Sequence, residues 1–206
     1  MIMFVSGATA TVARYPNVGE LIVPEAGNSP DSLRLAPGWW AGDNSCFNAK
    51  PGEFDAGAFM WMLKRFYGRK GCRFIAAPDA VADAYKTLEG WPFWSGIIRG
   101  AGFVPALVLQ NGMLVGEIPW RELGAVFVGG TTEWKLGQQA RDLMAYAKAR
   151  GLWVHVGRVN SGIRVDQIYD MGADSFDGTG FSMAPDINIP KGLEWISRNE
   201  RQGQLL

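Results

Sequence analysis

The sequence contains little cysteine and almost no histidine. Its two cysteines are Cys46 and Cys72, and His155 is its only histidine. Two thiols without a metal-binding spacing do not make a disulfide framework, and a single imidazole excludes a histidine-rich metal site or a Cys/His zinc knuckle. We therefore expect free thiols in a reducing compartment, no metal and no cofactor. A catalytic triad in this chain has only one imidazole to use.

An excess of positive charge is also missing. Twenty Lys and Arg residues balance twenty Asp and Glu residues. A neutral chain lacks the global field that drives nonspecific nucleic-acid binding, so a nucleic-acid partner needs a local basic face. Most basic clusters of this size are solvated helix faces. The candidates here are Lys64, Arg65, Arg69, Lys70 and Arg73, and separately Arg158 and Arg164.

Long hydrophobic runs are absent as well. No stretch reaches the roughly 18 apolar residues that suggest a membrane span, and the N-terminus MIMFVSGATATVARY lacks a charged segment followed by a long apolar one. We expect a cytoplasmic protein with no membrane partner. At 206 residues with 48% hydrophobic residues, the chain suits one domain over 1–206 with a sizeable core.

What the chain does contain is a regular alternation of short β-rich runs and longer helix-like stretches. This alternation is typical of a parallel sheet wrapped by helices. Eight strands make a TIM-type (β/α)8 barrel, so the sequence predicts a compact α/β barrel, irregular in its first two units where the connections are short. The predicted strands are 3–7, 20–24, 39–44, 72–79, 103–110, 124–130, 152–157 and 172–178.

Apolar residues at helical spacing predict helices over 53–68 and 136–151. The stretch 80–100 has a helical pattern in which we expect Pro92 to break or kink the helix. The last stretch, 194–206, reads as a closing helix with a loose tail.

Polar residues and glycines fall at the ends of six predicted strands. In parallel α/β folds the ligand site lies at the carboxyl ends of the strands, because the loops that follow them converge there. Packing alone does not explain such a set, since a buried carboxylate without a partner is costly. The sequence therefore predicts a site made by Asp43, Asp79, Gln110, Gly129 with Gly130, Arg158 with Asn160, and Asp177.

Each of these residues also has a simpler interpretation. Asp79 is placed to cap the following helix, and Asp43 in GDNS and Asp177 in FDGTG suit turns. Gln110 is equally consistent with a plain strand end, and the glycine pair with tight backbone geometry. His155 in WVHVG is more often a buried residue behind a site than a base. The individual residues leave these alternatives open.

The order of the residues is more specific than any one of them, and it resembles the tRNA-guanine transglycosylase superfamily, which includes the DNA-guanine transglycosylases of phages and bacteria. WWAGDNSCF is similar to the family's D-S-G-G-F motif and supplies Asp43 as a catalytic aspartate. APDAVAD supplies Asp79 as the aspartate that binds the base edge, with Asp83 as a less favoured claimant. VLQNG is similar to V-Q-G-G and supplies Gln110.

Two further motifs extend the resemblance to residues 39–181 in the right order. FVGGTTEWK resembles the G-G-L loop and supplies the backbone of Gly129 and Gly130. HVGRVNSGIRVDQIYDMGADSFDGTGF resembles the segment that ends in G-x-D-x-F-D, which makes Asp177 the nucleophile. The family's zinc-binding insertion has no counterpart here, and neither does the Arg-bearing stretch that follows F-D. These departures favour DNA over tRNA as the partner.

The resemblance implies an enzyme that acts on the N-glycosidic bond of a base in DNA. Asp177 attacks the sugar and forms a covalent glycosyl-enzyme, and Asp43 is the general acid and base. The target nucleotide has to be single-stranded or flipped out. The base is held by Asp79, Gln110 and the amides of Gly129 and Gly130, and the sugar-phosphate backbone by Arg158, Asn160 and Arg164.

Three questions stay open at the level of the sequence. Water entering gives base excision by a DNA glycosylase, whereas a free modified base entering gives exchange by a guanine/7-deazaguanine transglycosylase. A noncatalytic barrel that binds a free base, nucleoside or sugar is the alternative class, and Trp134 and the zero net charge suit it. A hydrolase centred on His155 is a third hypothesis.

Overall fold

The eight predicted strands form a closed parallel barrel. The structure, a computed structural model, describes residues 1–7, 9–25, 30, 40–47 and 54–203. The strands are hydrogen-bonded in chain order and β8 closes the barrel on β1, which confirms the (β/α)8 TIM-type prediction. Their bounds are β1 Ile2–Val5, β2 Val18–Ile22, β3 Trp40–Gly42, β4 Cys72–Ala76, β5 Pro105–Leu109, β6 Ala125–Val128, β7 Trp153–Val156 and β8 Ser175–Asp177.

Helices cover the outside of the barrel between most strands. Among the described residues, β5 and β6 are joined without an α-helix, by two short 3₁₀ helices at Val115–Glu117 and Trp120–Glu122, an irregularity that the sequence did not predict. No helix in the described ranges is both long and apolar enough to cross a bilayer. The helices are α1 Thr9–Val12, α2 Ala56–Arg65, α3 Ala84–Gly100, α4 Thr132–Lys135, α5 Gln138–Lys148, α6 Gly162–Asp170, α7 Thr179–Met183 and α8 Pro185–Gly203.

Two helix predictions need correction. Pro92 lies inside α3, which continues to Gly100, because buried Trp91 and Ile98 hold the helix against the barrel on both sides of the missing amide hydrogen. The closing helix begins at Pro185, nine residues earlier than predicted. Trp39, Glu53 and residues 204–206, which the predictions also included, lie outside the described residues.

Residues alternate along each strand between the barrel interior and the layer beneath the helices. In β6, Ala125 and Phe127 point inward, whereas Val126 and Val128 join the outer core. The interior is filled by Ile2, Phe4, Leu21, Ala41, Phe74, Ala76, Ala106, Val108, Ala125 and Phe127. Because the period is two, the inward series continues past the strand ends to Asp43, Gln110, Gly129 and Asp177.

The first basic cluster lies at the end of the barrel opposite these strand ends. Lys64 and Arg65 end α2, and Arg73 lies at the start of β4. Arg65 stacks over Trp61 with 4.7 Å from its guanidinium carbon to the ring centroid, and Arg73 stacks over Trp153 at 4.4 Å. The cluster is therefore not part of the face where the strands end.

Candidate active site

A pocket of about 300 Å³ opens at the carboxyl ends of the strands. Its volume is at the lower end of the range for small-molecule sites. Arg164 lies on α6 and is not among the residues that line this pocket. The other sequence-predicted site residues all line it, namely Asp43, Asp79, Gln110, Gly129, Gly130, Arg158, Asn160 and Asp177.

Asp177 is the last residue of β8 and its carboxylate is held at both oxygens. His155 Nε2 lies 2.9 Å from Oδ2, and the backbone N–H of Arg158 donates to Oδ1 at 3.2 Å. The side chain is 12% exposed, and the residue lines the pocket. The following Gly178 has an extended φ of −172°, so FDGTG is a strand running into a helix cap. The turn interpretation of Asp177 is wrong.

Two glycines beside Asp177 are required by close packing. A Cβ on Gly178 would lie 2.4 Å from both the carbonyl oxygen of Val159 and Oδ1 of Asn160. A Cβ on Gly157 would lie 2.5 Å from the ring of Phe127. The missing side chain of Gly178 thus makes room for the loop after β7.

Asp43 follows β3 and is partly exposed to the same pocket. Its backbone N–H donates to the carbonyl of Ile22 at 2.8 Å, and its Oδ1 accepts the N–H of Asn44 at 2.7 Å. Burial, followed by the nearby charge of Asp177, raises the pKa of Asp43 to about 7. Asp43 is therefore able to give and take a proton near neutral pH.

Asp79 is held by two amide side chains. Asn44 Nδ2 donates to its Oδ1 at 2.8 Å, and Gln110 Nε2 donates to its Oδ2 at 2.6 Å. Burial raises the pKa of Asp79 to about 6, although both amides favour the charged form. The cap of α3 is Asp83, which accepts the N–H of Lys86 at 3.0 Å, so the capping interpretation of Asp79 is wrong.

The glycine amides are already used within the protein. Gln110 Oε1 accepts the N–H groups of Ala82 at 2.8 Å and Gly130 at 3.0 Å. Gly129 donates to the carbonyl of Leu109 at 3.0 Å. These amides are not free to hold a base oxygen in the expected way. Gln110 instead ties the loop after β4 to the loop after β6 and orients Asp79.

Arg158 forms part of the pocket wall. It has a positive φ of 60°, a conformation that is costly for a residue with a side chain and that is found at functional sites. Its guanidinium donates to the carbonyl of Gly130 and lies 3.8 Å from the ring centroid of Phe47. Burial lowers the pKa of Arg158, and the site aspartates oppose that effect. Asn160 accepts the N–H of Gly180 at 2.9 Å.

Sequence reasoning missed several residues that support the site. Asn44 is 3% exposed and joins the loops after β3 and β4, donating to the carbonyl of Ala77 at 2.7 Å as well as to Asp79. Ser175 lies two residues before Asp177 on β8, on the same inward side of the strand, and was not predicted as a site residue. The alternation of inward and outward residues along β8 is the sequence signal that could have identified it.

Lys135 was also missed. It is 2% exposed, and its Nζ donates to the carbonyl of Gly157 at 2.5 Å. Burial lowers its pKa to about 7, and the charge of Arg158 adds to this effect. Its short helix α4 gave no periodic signal in the sequence.

Trp134 lies outside the pocket lining. Its ring packs over Gly130, where a Cβ would lie 2.5 Å from the indole, and its Nε1 donates to Gln139 Oε1 at 2.6 Å. Trp134 is therefore not available to stack on a ligand in the pocket, as the hypothesis of a noncatalytic barrel that binds a free base, nucleoside or sugar would use it.

His155 is fully buried and does not line the pocket. A base must come within hydrogen-bond reach of the proton that it removes. The hydrolase hypothesis centred on this residue is therefore not supported by the geometry.

Comparisons with known proteins add no assignment to this geometry. No protein-family model matches the chain, and no curated protein sequence matches it. Within the described residues, no group of three or more His, Cys, Asp or Glu side chains is arranged to hold a metal ion. The charged and polar side chains that line the pocket are carboxylates, amides, hydroxyls and one guanidinium.

Proposed function

We propose that the protein cleaves the N-glycosidic bond of a base in DNA, through a covalent intermediate on Asp177. The observation that carries the proposal is the pair of carboxylates, Asp177 and Asp43, in one pocket at the carboxyl ends of a parallel barrel. Their surroundings suit different tasks, since Asp177 accepts two hydrogen bonds that stabilise a carboxylate and the pKa of Asp43 is raised to about 7. Divergent environments of this kind separate a nucleophile from an acid.

The first half of the reaction transfers the sugar to the enzyme. Oδ1 of Asp177 attacks the anomeric carbon, and the bond from that carbon to the base nitrogen breaks. The protonated carboxyl of Asp43 gives its proton to the departing base. Oδ1 is the better attacking oxygen, because its hydrogen bond to Arg158 N is 3.2 Å long and Oδ2 is engaged by buried His155.

The second half releases the sugar from Asp177. The carboxylate of Asp43 takes a proton from the entering nucleophile, which attacks the anomeric carbon and restores the Asp177 carboxylate. Water as nucleophile gives an abasic site, and a free modified base gives exchange. Asp43 and Asp177 have the same roles with either nucleophile, so the product that is formed identifies which one enters.

Asp79 is the group in the pocket best suited to the edge of a base. Its two oxygens each accept one amide hydrogen from the protein, and carboxylate oxygens have further lone pairs for N–H donors of a ligand. Asn44 and Gln110 fix its orientation. Arg158 and Asn160, which line the pocket, remain the proposed contacts to the sugar and phosphate. Arg164, on α6 and outside the lining, is proposed to contact a more distant phosphate.

The test is incubation with single-stranded and duplex oligonucleotides containing guanine or 7-deazaguanine bases. Mass spectrometry measures released base, alkaline cleavage measures abasic sites, and labelled free base measures exchange. We expect release or exchange on the single-stranded substrates. Intact-protein mass spectrometry of denatured reactions is expected to find a glycosyl adduct that a peptide digest assigns to Asp177.

The variants Asp177→Asn and Asp43→Asn test the assignment of roles. Asp177→Asn is expected to abolish the adduct and product, whereas Asp43→Asn slows release by about 100-fold or more, in the range of general acid catalysis. Asp142→Asn, at an exposed carboxylate on α5, is the control and keeps wild-type rates. Full activity of Asp177→Asn would refute the nucleophile.

A second candidate is a barrel that binds a free base or nucleoside without cleaving it. The observation that favours it is charge, because Arg158 is the only cation among the described residues lining the pocket and the first basic cluster lies at the opposite end of the barrel. Calorimetry with guanine, guanosine and deoxyguanosine separates the two. Binding of these ligands without turnover of any oligonucleotide supports this candidate.

A further inference from the structure

The single histidine of the chain lies directly beneath the proposed nucleophile. His155 is on β7 and fully buried in the barrel interior. Its ring is surrounded by Phe127, Phe74 and Phe4 at centroid distances of 4.6, 5.1 and 5.8 Å. Because it does not line the pocket, His155 acts on the pocket through its neighbours, and Asp177 is the pocket residue to which it is hydrogen-bonded.

A chain of hydrogen bonds runs from the base of the barrel to Asp177. Trp153 Nε1 donates to Ser175 Oγ at 2.8 Å. Ser175 Oγ lies 2.9 Å from His155 Nδ1, and His155 Nε2 lies 2.9 Å from Asp177 Oδ2. All of these residues point inward from two neighbouring strands, β7 and β8, which pair in register at His155 and Ser175.

The acceptor at the end of the chain fixes the hydrogen between His155 and Asp177. The Asp177 carboxylate can only accept, so that hydrogen lies on Nε2; Ser175 Oγ accepts from Trp153, and its own hydroxyl hydrogen has His155 Nδ1 as the acceptor within reach. The ring proton of a neutral imidazole then lies on Nε2 and is donated to Asp177. A second ring proton, on Nδ1, would leave the Ser175 hydroxyl hydrogen without an acceptor among the described residues, which is unfavourable in the barrel interior.

We infer that His155 is a positioning residue for Asp177 and acts as a neutral Nε2–H donor to Oδ2. The inference rests on the proposed function of Asp177. The bond fixes the carboxylate plane and leaves Oδ1, whose partner is the Arg158 N–H at 3.2 Å, as the attacking oxygen. When Oδ1 becomes the ester oxygen in the glycosyl-enzyme, Oδ2 becomes the carbonyl oxygen and still accepts the same hydrogen bond. No proton moves through His155 in either half of the reaction.

The tautomer is tested directly by nuclear magnetic resonance. Protein labelled with ¹⁵N-histidine carries one labelled imidazole, so both ring nitrogens are assigned to His155 without ambiguity. We expect a protonated Nε2 and an unprotonated Nδ1 at neutral pH. Ser175→Ala is expected to move the Nδ1 resonance, whereas Ser197→Ala on α8 leaves both unchanged. A doubly protonated ring or an Nδ1–H tautomer overturns the inference.

The consequence for catalysis is tested on an oligonucleotide that the wild type turns over. His155→Leu removes the donor and is expected to lower kcat by about 10- to 100-fold, the effect of one hydrogen bond to a charged group. KM is expected to stay within about twofold, because the pocket lining is unchanged. His155→Gln provides an amide donor and is expected to recover part of kcat. Circular dichroism and thermal unfolding establish that each variant is folded.

The outcomes separate this inference from the proposed function. Full activity of Asp177→Asn overturns both. If Asp177→Asn is inactive and folded His155→Leu keeps wild-type kcat, only the positioning role fails. A parallel rise in KM, or no recovery in His155→Gln, also overturns it, because a purely structural defect has that pattern.

Discussion

Asp43 has a pKa that its surroundings raise from 3.8 to about 7, and this makes folding depend on pH. Between these values the folded state binds more protons than the unfolded state, so the free energy of unfolding falls as pH rises through this window. Below it, both states carry a neutral carboxyl and there is no effect. Above it, the folded protein carries the full cost of the buried charge.

Asp43→Asn is therefore expected to be more stable than the wild type at about pH 8 and equally stable at about pH 4. One unit of pKa is worth about 1.4 kcal/mol, and water in the pocket screens part of the shift, so we expect a gain on the order of 2 kcal/mol. Urea unfolding at both pH values measures it. A gain of the same size at low pH would contradict the assignment.

Glu20 offers a matched test of buried charge outside the pocket. It is 3% exposed, and neither carboxylate oxygen has a hydrogen-bond partner in the described part of the chain. Burial raises its pKa to about 7. Its register partners Val5 and Trp40 belong to the outer core. It therefore lies beneath the helices.

Glu20→Gln is expected to gain stability over the wild type as pH rises from about 4 to about 7, for the same reason as Asp43→Asn. Its base-release activity is expected to equal that of the wild type. The pair of variants separates the energetic effect of a buried carboxyl from its chemical role. Loss of activity in Glu20→Gln would show that the outer layer influences the pocket.

At the scale of elements, the ends of β7 and β8 are locked together around Asp177. The loop after β7 donates Val159 N–H to the carbonyl of Asp177 at 2.6 Å. Lys135 holds the carbonyl of Gly157 on the other side of this loop. The geometry depends on Gly178, which lets the two loops touch.

Gly178→Ala is expected to lower the free energy of unfolding by about 1 to 3 kcal/mol, the usual cost of overpacking, because its Cβ would lie 2.4 Å from the backbone carbonyl oxygen of Val159 and 2.4 Å from Oδ1 of Asn160. It is also expected to reduce base release, since Asn160 must move. Gly96→Ala in α3 has no atom within 4 Å of its Cβ and is expected to gain about 0.5 to 1 kcal/mol. Denaturant unfolding of both variants tests the contrast.

At the scale of the whole molecule, the first basic cluster is separated from the pocket. The cluster that ends α2 and begins β4 lies at the opposite end of the barrel, and the net charge is zero. In the proposed function, a DNA strand that enters the pocket meets Arg158 in the lining and Arg164 on α6 outside it. Few phosphate contacts mean that few counterions are released on binding.

Binding of a single-stranded oligonucleotide is therefore expected to weaken by less than about tenfold between about 50 and about 200 mM salt, as for roughly two phosphate contacts. Fluorescence anisotropy across this range measures the slope. Lys64→Glu and Lys70→Glu are expected to leave affinity unchanged. A much steeper slope, or weaker binding in these variants, would mean that the nucleic acid reaches the opposite end of the barrel.

The sequence by itself determined the eight strands and the convergence of polar residues at their ends. This was possible because both are local patterns, namely alternation within a strand and the position of a residue after it. Asp43, Asp79, Gln110 and Asp177 were found in this way. The catalytic roles given to them came from resemblance and remain proposals.

The tertiary structure alone decided how those residues are partnered. Three hydrogen bonds of the site join residues 20 to 22 positions apart in the chain. They link Gly130 to Gln110, His155 to Asp177, and Lys135 to Gly157. Such contacts depend on the stagger between neighbouring strands and on the path of each loop, which no local period encodes. The pKa of Asp43 follows from the same cause, because burial and a neighbouring charge exist only once the barrel has closed.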